Sequence, residues 1–548
     1  MRAGWSILKG KAQDSVRGLK LLRQSGVASA VSITGAARFA LAAARAGLGP
    51  HLASTFHALN GGDKLAVESS SRRLSYAELD AEVNRLARGL EELGVSHGDR
   101  VAVMLPNRLE HLVAQLAVPR IGARTVEIGY RLKAPEVAFI LGNSRPRVLI
   151  HDAAYQQVAL LASADAGHGD ARVVVGDRAN PCSYEQLLAG QSTELPRAAR
   201  RGNDGGVIVY TSGTTGNPKG ADRSLGDVSI SAVVDFMVQV GMRHDDRHLV
   251  VCPLYHSAAP AFCAMMLGLG ANITIADHFD PIAILELIER RRLTSAFMVP
   301  TMLQRLAEVG PDVIARYDCS SLRWVCSGAA PLSTATARAF QDAFGYLLWN
   351  FYGATETGLV TLAGPFEHAT KPGTVGKALA GNELRIVGDG GRMVATGEVG
   401  EVYARNGMLI RGYHDNQQAT DDATLDGFFS VGDLGRLDDE GYLYLASRKH
   451  DMIISGGVNI YPREIENHLL THPSISDVAV LGAPDPEWGE TVKAFIVVRP
   501  GTSLSESEID GFCRQGLADY KRPRRIEFLA ELPRNATGKV LKRELRER

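Results

Sequence analysis

Tyr210-Thr211-Ser212-Gly213-Thr214-Thr215-Gly216-Asn217-Pro218-Lys219-Gly220 gathers hydroxyls, glycines and one lysine into a short run. Glycine lets backbone N–H groups come close to an anion, Ser and Thr add hydroxyl donors, and Lys219 adds a mobile positive charge. The chemistry suited to that mixture is the cradling of a polyphosphate. Upstream, Gly206-Val207-Ile208-Val209 predicts a short buried strand, so the run is expected as a loop projecting from a sheet edge. It is not a Walker loop: that pattern ends in Gly-Lys-Ser/Thr, and here Pro218 separates Asn217 from Lys219.

The full run resembles the signature of the adenylate-forming enzymes, the superfamily of acyl-CoA synthetases, peptide-synthetase adenylation domains and firefly luciferase. Further motifs follow in the family's order over roughly residues 55–548, and they are closest to those of fatty acyl-CoA synthetases. By that resemblance Thr211, Ser212, Gly213, Thr214, Thr215, Gly216 and Lys219 bind the nucleotide. Val251-Cys252-Pro253-Leu254-Tyr255-His256-Ser257 matches an aromatic-His motif at a helix start, with His256 bordering the acyl pocket. Val325-Cys326-Ser327-Gly328-Ala329-Ala330 implies one side of an adenine slot, where Gly328 and Ala329 let a flat base lie on the backbone and Gly328 also borders the acyl group. Asn350-Phe351-Tyr352-Gly353-Ala354-Thr355-Glu356 implies the other wall. There Tyr352 stacks on adenine beside the acyl group, Thr355 holds the α-phosphate, and Glu356 with Thr211 ligates Mg²⁺.

Phe428-Phe429-Ser430-Val431-Gly432-Asp433-Leu434-Gly435 is expected to bring an acid to a turn, and the same resemblance assigns Asp433 to the ribose hydroxyls and Arg448 to ribose and phosphate. It makes 447–451 a hinge, Gly456-Gly457 the thioester-forming loop that passes pantetheine, and Lys539 the family's catalytic lysine, acting with Glu356 and Lys219. Several positions depart from the family pattern. His450 stands where relatives usually carry Lys or Asp, which puts a pH-titrating group on the hinge. Val458 replaces a common Glu, and Ala221-Asp222-Arg223-Ser224 follows the phosphate run where many relatives have valine and then histidine.

After His256 come Ala258, Ala259, Pro260, Ala261, Phe262, Met265 and Met266, all small or apolar, and no Asp stands between His256 and Gly268. A substrate ammonium buried there would lack a counter-charge, so an uncharged acyl tail is expected. The implied reaction is ATP-dependent conversion of a medium- to long-chain fatty acid to acyl-AMP, then transfer to CoA. Aryl or other acid–CoA ligation, loading of a carrier protein, and luciferase-like oxygenation remain alternatives.

At 548 residues the chain is too long for one core. Strand signals at 101–105, 148–150 and 173–175 alternate with helical periodicity such as Leu79, Val83, Leu86, Leu90 and Leu93, which predicts layered α/β structure with a largely parallel sheet. With the resemblance, the expected plan is a basic helical extension (1–54), a large multi-layered adenylation domain (55–446), the hinge, and a small mobile α+β domain (452–548). The 60 basic and 61 acidic residues nearly cancel, so no nucleic-acid partner is expected. The cysteines form no C-x-x-C pair, which suits a reducing cytoplasm and neither a disulfide framework nor structural zinc. The extension carries Arg2, Lys9, Lys11, Arg17, Lys20, Arg23, Arg38 and Arg45 against Asp14 alone. It reads either as a basic amphipathic segment lying peripherally on an anionic inner-membrane surface or as a helical pair packed on the main domain.

Overall fold

Element boundaries follow local chemistry. Ser75 and Glu78 form a reciprocal capping box at the start of helix Tyr76–Glu92, and the helix buries Leu79, Val83, Leu86 and Leu90 at three- and four-residue steps. Strand Arg100–Met104 is buried on both faces. Val101 and Val103 enter one core while Ala102 and Met104 enter another, the period-two division of a strand sandwiched between layers.

The computed structural model describes residues 16–46, 49–167, 171–196, 205–211, 218–224, 231–535 and 538–548. A seven-stranded sheet runs in the order Gly412–Tyr413, Lys219–Ser224, Gly206–Thr211, Arg124–Glu127, Arg100–Met104, Val148–Asp152, Arg172–Val175, and its last five strands are parallel. A nine-stranded sheet has six central parallel strands, from Leu348–Ala354 through Trp324–Ser327, Ser295–Phe297, Arg247–Val250 and Asn272–Ile275 to Leu65–Glu68. Helices Tyr76–Glu92, Leu109–Arg120 and Ala258–Leu269 share one apolar core with the facing sides of both sheets. Leu109–Arg120 is buried on every side, as a helix held between two sheets must be. Outer helices cover the far faces, giving alternating helix and sheet layers.

A six-stranded sheet, including Gly400–Arg405, Asp433–Leu437 and Leu443–Arg448, follows. After it, a five-stranded sheet with its own core builds the C-terminal unit around Ile475–Asp485 and Gly489–Val498. The fold is therefore the expected α/β type, a large N-terminal part and a small C-terminal one.

Two local expectations are corrected. The polyphosphate run does not leave a sheet edge, because Gly206–Thr211 and Lys219–Ser224 pair antiparallel inside the seven-stranded sheet, from Gly206 opposite Ser224 to Thr211 opposite Lys219. The second strand escapes a hydropathy reading because it is polar. Asp222 pairs with Arg124, and Arg223 is satisfied by backbone carbonyls. Ser212, Gly213, Thr214, Thr215 and Gly216 lie outside the described residues. Likewise Asp433 does not sit in a turn but opens a strand, opposite Arg448.

The extension packs on the large domain. Residues 16–25 are helical, followed by helices Ile33–Ala46 and Ala53–Gly61. Ser25, Val27 and Leu52 are buried, while Val16, Leu19, Ile33 and Leu41 are exposed. Arg2, Lys9, Lys11 and Asp14 lie outside the described residues.

Candidate active site

The C-terminal ends of the parallel strands Arg247–Val250, Ser295–Phe297 and Trp324–Ser327 open onto a cleft of about 2440 Å³, a place where α/β sheets commonly bind ligands. The C-terminal unit closes its other side. Thr211, Lys219, His256, Ala329, Asn350, Phe351, Tyr352, Thr355, Glu356, Asp433, Arg448 and Lys539 all line it.

At its centre Glu356, only 6% exposed, accepts from the Thr211 hydroxyl at 3.1 Å and from the Tyr413 hydroxyl at 3.2 Å. The Lys219 ammonium lies 5.1 Å from the Tyr413 ring centroid. One carboxylate flanked by hydroxyls is a hard-oxygen set. It fits Mg²⁺ whose remaining ligands come from nucleotide phosphates, the usual manner of holding that ion.

Arg223 underlies this cluster. Its Nη2 donates to the Thr355 carbonyl at 2.6 Å and its Nη1 to the Met408 carbonyl, tying two loops together behind Glu356. Burial lowers the guanidinium to about 10, with Glu356 pulling the other way. The Thr355 hydroxyl is within 3.1 Å of the Ser257 hydroxyl, which links the phosphate side to the acyl side.

On the ribose side, Asp433 accepts from the Tyr352 hydroxyl at 2.9 Å and pairs with Arg448 at 3.1 Å. Burial, and then the adjacent Asp433 charge, hold the Tyr352 phenol well above its ordinary value, so it stays a donor. Lys539 enters the same space on a turn braced by Asn535, whose side chain accepts from the Lys539 N–H at 2.9 Å. Burial and then Arg448 lower its ammonium to about 8, against the pull of Asp433, Asp451 and Glu356. Gly538 has φ 75°, and a Cβ there would stand 2.5 Å from Thr301 Oγ1, so only glycine fits where the turn meets the large domain.

His256 lies on the acyl side, its ring 4.3 Å from that of Tyr255. Burial lowers it to about 4, which leaves it neutral at pH 7, and its Nε2 has no partner among the described residues. Beyond it, helix Ala258–Leu269 presents Ala261, Ala264 and Gly268 to the cleft.

Three expected site residues are not part of the cleft lining. Gly328 is buried, and a Cβ on it would stand 2.5 Å from the Phe351 ring; it supports that ring from behind, while Ala329, at φ 66°, faces the cleft. Gly456 and Gly457 are exposed on the hairpin of Ile453–Ser455 and Val458–Ile460, beside Trp488 and away from the cleft. His450 does line the cleft, and burial lowers its imidazole. Sequence reasoning missed Arg223, Tyr413 and Ser257. Tyr413 reaches Glu356 because Gly412–Tyr413 pairs with Lys219–Ser224, a contact that no local motif announces.

The AMP-binding enzyme family model matches residues 56–414, and the AMP-binding enzyme C-terminal domain model matches residues 464–539. The chain belongs to the AMP-binding enzyme family. A feruloyl-CoA synthase from Amycolatopsis sp is 37% identical over 88% of this chain and 95% of its own length. A long-chain-fatty-acid–CoA ligase of Mycobacterium tuberculosis is 36% identical over 87% of this chain and 94% of its own. The crystal structure of ATP-bound MatB from Rhodopseudomonas palustris superposes with a TM-score of 0.83 at 29% identity, covering 91% of this chain and 99% of that one. As an acid–CoA ligase of this adenylate-forming family, the protein acts through an acyl-adenylate on a carboxylic acid, ATP and CoA.

Proposed function

We propose that the acid is a medium- to long-chain fatty acid. The observation that carries this reading is the apolar arm of the cleft along helix Ala258–Leu269. The helix is 12 residues, about 18 Å, long, comparable with an extended long acyl tail, and it lines the cleft with small Ala261, Ala264 and Gly268 together with the larger apolar Phe262, Met265 and Leu267. Neutral His256 stands at the near end with a ring nitrogen that has no partner among the described residues, and no carboxylate stands along the helix to receive a substrate ammonium. An aryl acid is the rival reading, favoured by the feruloyl relative and by Tyr255, Phe262 and Phe351 in the cleft wall.

In this reading 55–446 binds ATP and acid, 447–451 is the hinge, and 452–548 moves. A carboxylate cannot lose oxide to a thiol, so its oxygen is first joined to the α-phosphate. Thr355 and the phosphate run hold the triphosphate, Asp433 and Arg448 fix the ribose, and adenine lies between Ala329 and Tyr352. Lys219 and Lys539 offset the negative charge as the carboxylate attacks and pyrophosphate leaves. Mg²⁺ held by Glu356 and Thr211 would supply further charge neutralisation there. Lys539 then blocks the path of the CoA thiol, and rotation at the hinge exchanges it for Gly456-Gly457. Supporting that exchange, Ile454, Val458 and Trp488 around those glycines are 51%, 43% and 54% exposed in the present arrangement, an apolar face to be covered in the other.

Peripheral attachment to the cytoplasmic face of an anionic membrane is part of the proposal. The outer surface of the extension combines exposed Val16, Leu19, Ile33 and Leu41 with exposed Lys20, Arg23 and Arg38. No helix among the described residues is long and apolar enough to cross a membrane.

Gly268→Phe tests the substrate. A Cβ at Gly268 meets nothing within 4 Å, so a side chain can start there without a backbone clash, on a residue that lines the cleft. Palmitate turnover is expected to collapse while hexanoate turnover stays. Equal effects on both acids would place the tail elsewhere.

A further inference from the structure

The family model begins at residue 56, yet Leu21, Leu22, Val27, Phe39 and Leu52, all before it, line the same cavity as the adenylation residues, beside Phe56 at the model's first position. They arrive there on a firmly held scaffold. The helix at 16–25 lies along helix Ser231–Val240, where Gln24 Nε2 donates to the Val238 carbonyl at 3.0 Å, and it ends where the His244 N–H donates to the Ser25 carbonyl at 2.9 Å. Behind helix Ala53–Gly61, fully buried Arg120 donates to the His51 carbonyl at 2.6 Å and to Ser54 at 2.9 Å while pairing with Asp80 at 2.9 Å. His57 Nε2 meets the Gly268 carbonyl at 3.1 Å, so this helix sits on the far end of helix Ala258–Leu269. Phe39 from helix Ile33–Ala46 packs edge-on against Phe56 with ring centroids 5.0 Å apart.

The geometry points to a function for the extension within the acyl site: it is the distal wall against which the last carbons of the tail stop, and thereby the element that sets maximum chain length. This rests on the fatty-acid reading above. Carboxylate chemistry is fixed at one end by Lys539, Thr355 and His256. A tail laid along Ala261, Ala264 and Gly268 runs towards the Phe39–Phe56 pair, which lines the same cavity and lies on the helices that meet the Gly268 end through His57. The lining at this end is mainly apolar, with Leu22, Val27, Phe39, Leu52 and Phe56 outnumbering Ser25 and His51, which suits a terminal methyl. Because Phe39 is only half-buried, shortening it opens room without emptying a packed core.

The test compares kcat/KM for hexanoate, palmitate and icosanoate in the full-length enzyme and in Phe39→Ala and Phe39→Trp. A fluorescent anthroyloxy-stearate probe measures tail binding without turnover. In Phe39→Ala the icosanoate-to-palmitate ratio is expected to rise by roughly tenfold, the scale on which apolar pockets discriminate methylenes. In Phe39→Trp the ratio should fall and the probe should bind more weakly, with hexanoate unchanged in both variants as the check on folding. An unchanged ratio with unchanged probe binding, in an enzyme that prefers palmitate, would overturn the wall while leaving the substrate reading intact. A shift in oligomeric state in place of the ratio would assign the Phe39 surface to a second copy and would equally overturn it. Preference of the unaltered enzyme for ferulate would instead remove the reading on which the wall depends.

Discussion

Replacing Lys539 by alanine separates the two half-reactions. The lysine reaches the cleft only because the C-terminal unit is docked as described, with Gly538 pressed on Thr301 and Gly456-Gly457 turned away. In the proposed mechanism it therefore serves acyl-AMP formation and has no part in thioester formation. Loss of one charge contact to a transition state costs about 3–4 kcal/mol, a few hundredfold in rate. Burial, followed by Arg448, lowers its pKa to about 8, below the ordinary lysine value, so the charged form is complete well below pH 8 and is lost as pH rises through it. In the unaltered enzyme, kcat/KM for adenylation should thus fall about tenfold per pH unit above that point. Pyrophosphate exchange measures the first half-reaction, and CoA-dependent consumption of synthetic acyl-AMP measures the second. The variant should lose both the exchange rate and the alkaline limb while consuming acyl-AMP nearly normally. Equal loss in the two assays, or an alkaline limb that survives in the variant, would refute the reasoning.

Glu356→Gln should raise the Mg²⁺ concentration needed for half-maximal adenylation by at least about tenfold, the lower end of what changes around metal ligands cost; an unchanged Mg²⁺ titration would remove Glu356 from the metal site. Arg223→Met strips two buried carbonyls of a charged donor, a loss of about 2–3 kcal/mol, and should lower the unfolding midpoint as well as Mg²⁺ affinity; Mg²⁺ affinity left intact would confine Arg223 to structure. Leu19→Glu, Ile33→Glu and Leu41→Glu together change only exposed side chains, so activity on hexanoate should persist while flotation with anionic vesicles is lost; retained flotation would contradict membrane attachment through this face.

Much of the cleft lining was legible because its residues sit in contiguous motifs. Tyr352, Thr355 and Glu356 occupy one strand and its turn, and the Lys539 turn carries its own Asn535 brace, so local strings preserve their relations. What could not be read depends on pairing between distant segments. Tyr413 joins Glu356 through a two-residue strand against Lys219–Ser224, and polar Arg223 looks like a surface residue until the loops it holds are in place. Gly328 carries the right string, but its service is to the back of the Phe351 ring. The extension lay beyond any motif. Its sequence left a membrane-lying segment and a packed helical pair as alternatives, while its place on the end of helix Ala258–Leu269 is a tertiary fact set by contacts such as His57 with Gly268.

The claim on which the rest depends is that this enzyme joins a long-chain fatty acid to CoA. Incubating it with ATP, Mg²⁺, CoA and an equimolar mixture of palmitate, hexanoate and ferulate, and resolving the thioesters by mass spectrometry, tests it directly. Palmitoyl-CoA is expected to dominate at early times, with AMP released in equal amount. Dominance of feruloyl-CoA, or acyl-AMP that accumulates without any CoA thioester, would contradict it.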